Sequence, residues 1–135
     1  MGMHTELLLK CRLRPRGVLP AGVPEVLDFL FNYKGPVEES KIPNHSFFDC
    51  ARWAFIGSCS SYYHIPWSVS EYSEDYIFSR SDLKNYEQEI EEFLGWLHPY
   101  LDICGSEVIG WKWYEEDGRP TLIIADEKGI HYEQA

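Results

Sequence analysis

His45, Cys50, Cys59 and His64 place four nitrogen and sulfur donors in one short stretch, the donor types that hold zinc. Their spacing, His-x4-Cys-x8-Cys-x4-His, lacks the close ligand pairs that structural zinc sites use. A straight strand over 51–59 would set the two cysteines about 30 Å apart, so no metal is expected. Cys59 and His64, and Cys104 and His98, are the two thiol–imidazole combinations in which a base sits near a nucleophile in sequence. Cys59 shares strand parity with Trp53 and Phe55, which points to a core position instead. The carboxylates Glu115, Glu116 and Asp117 sit beside a hairpin turn, while Glu71, Glu74 and Asp75 precede or enter a strand. Acid–base work needs a carboxyl raised by burial or by a like charge, and runs at turns stay ionised. Neither G-x-G-x-x-G nor G-x-x-x-x-G-K-[ST] occurs, so nucleotide chemistry has no motif to stand on. No catalytic residue and no cofactor are assigned.

Aromatic residues are 16% of the chain, with five Trp, nine Tyr and seven Phe. Ile109, Trp111 and Trp113 share one parity, as do Trp53 with Phe55, and Tyr72 with Tyr76 and Phe78. Two helices cover one face of a sheet of this size, which leaves such rows as a binding surface or dimer interface, or as core beneath a lid formed by 36–48 with Phe47 and Phe48. Two functions follow. The first is a non-catalytic protein-interaction module that self-associates or binds a protein partner through the sheet or an exposed aromatic face. The second is a small-molecule-binding protein or enzyme with a pocket between the sheet and the 36–48 loop. Trp53, Trp111 and Trp113 would wall that pocket, and Arg52, Tyr62, Tyr63 and His64 would supply its polar contacts.

These side chains must be positioned by one domain over 1–135, a length of 135 residues being ordinary for a single core. Thr5 to Leu13 alternates as a strand with one wet face. Pro24 opens a short helix with Val23, Val26, Leu27, Leu30 and Phe31 as its apolar stripe, ending at Gly35-Pro36. Cys50 to Tyr63 reads as a central strand, although Ala51 to Ile56 reads equally as helix. Tyr72 to Arg80 reads as one strand with Tyr72, Tyr76 and Phe78 on one side. Asn85, with Gln88 three places on, has the capping-box spacing. It starts a second helix carrying Tyr86, Ile90, Phe93, Leu94, Leu97 and Leu101 and ending near Pro99. Val108 to Tyr114, Thr121 to Ala125 and a short terminal strand at Ile130 to Tyr132 form a meander. The expected fold is α+β: one antiparallel-dominated sheet of five or six strands with two helices on one face, β-α-β-β-α-β-β, a ferredoxin-like variant.

The formal charge is −10, which repels polyanions and argues against nucleic acid and anionic membranes as partners. It is unevenly spread. Residues 1–16 hold Lys10, Arg12, Arg14 and Arg16 against Glu6, whereas 81–102 hold six carboxylates against Lys84. The basic row of the first strand would guard a sheet edge or steer an acidic partner, the former being the simpler reading. The N-terminal stretch lacks the uninterrupted apolar region of a signal peptide. Four widely spaced cysteines without a C-x-x-C pair are expected to be buried thiols. A cytoplasmic protein is expected.

Three stretches carry a resemblance: Cys59-Ser-Ser-Tyr-Tyr63, Leu83-Lys-Asn-Tyr-Glu-Gln-Glu-Ile90 and Gly110-x-x-x-Tyr-Glu-Glu-Asp-Gly-x-Pro-Thr-Leu-Ile123. In these the chain resembles an uncharacterised group of small bacterial α+β proteins. That group has no established activity, so the resemblance implies a fold and assigns no role to any residue.

Overall fold

The computed structural model describes residues 4–58 and 69–135. Six strands, β1 (Thr5–Arg12), β2 (Val69–Ser73), β3 (Tyr76–Leu83), β4 (Glu107–Tyr114), β5 (Thr121–Asp126) and β6 (Gly129–Gln134), form one sheet. Its order is β2-β3-β1-β4-β5-β6, every pairing antiparallel. Two α-helices, α1 (Val23–Asn32) and α2 (Glu89–Leu97), follow β1 and β3. The fold is therefore α+β.

Alternation on β1 sets the core. Leu7, Leu9 and Cys11 are buried while Lys10 and Arg12 are exposed, as period two requires of a strand with one wet face. The buried stripe of α1 (Val23, Val26, Leu27, Leu30, Phe31) and that of α2 (Ile90, Phe93, Leu94, Leu97) belong to the same core cluster. Pro24 occupies the first turn of α1, and the Glu25 carboxylate accepts from the Gly22 N–H at 2.8 Å, satisfying a donor the helix cannot. Tyr33, left-handed at φ 56°, ends the helix.

Several expectations are corrected. Residues 50–58 contain no strand: Trp53–Phe55 is a 3-10 turn in which Phe55 N bonds Arg52 O and Ile56 N bonds Trp53 O. Phe29, Phe47 and Phe48 gather around the Trp53 ring. The segment 72–80 is two strands joined at Glu74-Asp75, both left-handed (φ 49° and 64°), the geometry of a tight hairpin turn. Tyr72 thus pairs with Ile77 and is buried with it, on the opposite face from Tyr76 and Phe78. Helix α2 starts at Glu89, four residues beyond Asn85, leaving Tyr86 exposed. Asn85 still caps, since its Oδ1 accepts from the Ile90 N–H at 2.9 Å. β1 lies between β3 and β4, so its basic row guards no edge. Cys11 and Cys50 are buried, but Cys104 is exposed. Between Val108 and Gly110 the β4–β5 register shifts by a bulge. Ile109 consequently turns into the core, separated from Trp111 and Trp113 with which an unbroken strand would align it.

Candidate functional site

Cys11 and Cys50 are buried thiols. Burial pushes the Cys11 thiol up to about 12. Burial first, then Glu89 and Glu87, push the Cys50 thiol up as well, opposite to the shift that activates a nucleophile. Its Sγ points at the carbonyls of Ser46 and Glu87 (3.9 and 3.8 Å). His45 Nδ1 accepts from the Phe47 N–H at 3.0 Å and so caps a short 3-10 turn. Cys59, Tyr62, Tyr63 and His64 lie outside the described residues. Among the described residues, no group of three His, Cys, Asp or Glu side chains is placed to hold a metal ion.

Two paired carboxylates, Asp28 and Glu91, move down, away from acid catalysis. For Asp28, burial works upward but is outweighed by hydrogen bonds from Arg16 and Asn32. For Glu91, burial is likewise outweighed, by Lys112 and Asn85. Glu115 accepts from the His4 N–H at 2.7 Å and ties the start of β1 to the end of β4.

The more informative surface is the sheet face opposite Leu7, Leu9 and Ile123. Residues directly opposed across antiparallel strands share a face. Leu8 opposes Arg80 and Trp111, Trp111 opposes Leu122, and Val108 opposes Ile124. Trp113 opposes Glu6, and Lys10 opposes Phe78. The β4–β5 half of this face is therefore apolar over two cross-strand pairs plus Trp113. Val108 is 60%, Phe78 39% and Trp113 36% exposed, while Trp111, Leu122 and Ile124 are half-buried. The Trp111 and Trp113 rings meet edge to face at 5.7 Å, and Trp113 Nε1 donates to the Asp117 carbonyl at 2.8 Å. That bond fixes the outer indole, so the patch is presented at little entropic cost.

The sequence-derived site is divided. Trp111 and Trp113 stand together on this face, whereas Trp53 is packed by Phe29, Phe47 and Phe48 near α1 and α2. Among the described residues no ring contact joins the two groups. The Arg52 guanidinium lies 5.4 Å from the centre of the Tyr86 ring, beside a depression of about 370 Å3 shared with His4, Phe55 and Asp82. Lys10, Arg12 and Tyr76 border a groove of about 680 Å3 with Asp102, Cys104 and Glu107, a lining of both charge signs. Sequence reasoning missed the contribution of Val108, Leu122 and Ile124, although the alternation of Thr121 to Ala125 with its β-prone residues carried the signal.

No helix among the described residues is long and apolar enough to cross a membrane. Comparison of the chain with family models, with curated proteins and with solved structures finds no match.

Proposed function

We propose that the chain is a non-catalytic protein-interaction module that associates with a second copy of itself through its sheet. The observation that carries this reading is the apolar set on the face turned away from the core, exposed at Val108 and Trp113 and half-buried at Trp111, Leu122 and Ile124. Apolar surface gathered in one place, with a rigidly held indole at its rim, is what a partner surface desolvates. The raised thiols of Cys11 and Cys50 and the lowered carboxyls of Asp28 and Glu91 support a role without chemistry at those four side chains. The charge of −10 favours protein over nucleic acid or anionic lipid as the partner.

The fold reading that goes with this is ferredoxin-like. The order β2-β3-β1-β4, with α1 leading from β1 to β2 and α2 from β3 to β4, makes two split β-α-β units and supports it. Both helices share their core with Leu7, Leu9 and Cys11, which supports their lying on one face. The stretches at 59–63, 83–90 and 110–123 support grouping the chain with small bacterial α+β proteins, and its free buried thiols suit the cytoplasm.

Sedimentation velocity of the full chain up to about 100 µM tests the reading. A dimer is the expected species. A single species of 15.8 kDa across that range overturns it.

A further inference from the structure

The two edges of the sheet are built differently. At β2, the edge backbone of Tyr72 is occupied: the Asn32 side chain donates to the Tyr72 carbonyl at 2.7 Å and accepts from the Tyr72 N–H at 2.9 Å. An asparagine amide from α1 thus stands where the next strand would pair. This is a covered edge in the sense that natural sheets use against unwanted addition.

At β6 the edge is open. Backbone groups of an antiparallel strand alternate between its two sides. Ala135 N bonds Pro120 O at 3.1 Å, so the odd-numbered residues of β6 direct their N–H and C=O toward β5. Ile130, Tyr132 and Gln134 direct theirs outward, where no described residue meets them. β6 has neither proline nor bulge nor lysine, the usual edge protections.

Resting on the self-association reading above, we propose that β6 pairs antiparallel with β6 of a second copy about a two-fold axis at Tyr132, joining two sheets into one. The outward backbone groups restrict which residues exchange hydrogen bonds, and charge selects among the registers left. With Tyr132 opposite Tyr132, Ile130 opposes Gln134, and His131 opposes Glu133 of the second copy, twice by symmetry. A shift of one residue in either direction along each copy brings His131 opposite His131 or Glu133 opposite Glu133. Residues at the His131–Glu133 positions are a non-hydrogen-bonded pair, the kind whose side chains approach most closely. The pairing exchanges about six backbone hydrogen bonds. It also brings the two Trp111–Leu122 patches to either side of the axis on one continuous face, because β5 adjoins β6.

Tyr132→Pro removes one outward N–H and leaves the β5 ladder intact, a placement that edge strands tolerate. Gln134→Pro does the same at an exposed position next to the C-terminus. In sedimentation, the wild-type dimer is expected to weaken at least about 100-fold in Tyr132→Pro and at least about tenfold in Gln134→Pro. Tyr132→Cys in a Cys104→Ser background is expected to form a disulfide-linked dimer on mild oxidation, because hydrogen-bonded opposite positions lie about 5.5 Å apart between Cα atoms. A wild-type monomer removes both this inference and the reading beneath it. A wild-type dimer that persists in Gln134→Pro and Tyr132→Pro but dissociates in Trp113→Glu overturns the edge pairing and retains the reading, the sheets then meeting face to face. A dimer of Tyr132→Pro that forms without a Tyr132→Cys crosslink overturns it equally.

Discussion

Replacing Asn32 should open the β2 edge and destabilise the fold by a predictable amount. Its side chain makes three bonds: Nδ2 to Asp28 Oδ1 at 2.9 Å, Nδ2 to the Tyr72 carbonyl at 2.7 Å, and Oδ1 from the Tyr72 N–H at 2.9 Å. A neutral bond contributes about 1 kcal/mol and one to a charged group about 1.5–3 kcal/mol. Water reaching the opened edge offsets part of the loss, so Asn32→Ala should cost about 3 kcal/mol. Asn32→Asp keeps the acceptor for Tyr72 but loses both donations and sets a carboxylate against Asp28. At roughly 3 Å and an effective dielectric of 20 that repulsion is about 5 kcal/mol, enough to make the pair hold a proton. A carboxyl whose folded value is raised lends stability at low pH that is lost as pH rises. Asn32→Asp should therefore be weaker at pH 8 than at pH 5. Urea unfolding followed by tryptophan fluorescence at both pH values measures this, and sedimentation should show added association through the opened edge. An Asn32→Ala protein within about 0.5 kcal/mol of wild type, or an Asn32→Asp protein indifferent to pH, would refute the view that one amide closes this edge.

Gly110→Ala should be among the most damaging substitutions, costing about 4 kcal/mol or more, because its Cβ would fall 1.9 Å from the Leu8 carbonyl oxygen at the β4 bulge. Gly95→Ala, in α2 with nothing near the added methyl, should stabilise by about 0.5–1 kcal/mol; parallel urea titrations compare the two. Stability should decline as pH falls below about 4, because Asp28 and Glu91 are depressed in the fold and their contribution is present only above their unfolded values. Lys112→Met should flatten the part of that slope owed to Glu91, read from melting temperature against pH. Native alkylation at pH 8 should modify Cys104 before Cys11 and Cys50, since Cys104 is exposed and the other two are buried with thiols pushed up; peptide mass spectrometry reads the order, and early labelling of Cys11 would contradict its packing.

How much of this was legible depended on whether the determinant was local. α1 was readable because Pro24 and a 3.6-residue apolar stripe are properties of one segment, and the β4–β6 meander because Asp117-Gly118 and Lys128-Gly129 mark its turns. The hairpin at Glu74-Asp75 was hidden because its two left-handed positions carry neither glycine nor asparagine, the residues by which such turns announce themselves. The period-two pattern in 50–58 was an accident of small and aromatic residues. What holds that segment is Trp53 seated on rings from α1 and the 46–49 turn, a contact with no sequence period. The structure's order is β-α-β-β-α-β-β-β, with β2 and β3 coming from a different part of the chain than expected. One segment expected as a strand was a turn, while another expected as one strand was two.

The candidate surface was half legible for the same reason. Trp111 and Trp113 could be found from one strand, but Val108 joins them only because the bulge beside Gly110 turns Ile109 inward. Whether a strand is central or at an edge is a property of pairing across the chain, and residue types mislead about it. β1 carries Lys10 and Arg12 like a protected edge and lies in the middle of the sheet, whereas β6 carries no such protection and lies at its margin. Undefended edges are ordinarily removed because they aggregate. Here the Tyr72 backbone at one edge is closed by Asn32 while the other edge is left open, and His131 of the open strand, which faces Asp126 of its own chain at 3.0 Å, also comes opposite Glu133 of a reversed copy. Such a strand makes physical sense when its intended neighbour is identical to itself, because addition then stops at two: the pairing consumes both open edges and leaves the two Asn32-covered edges facing solvent.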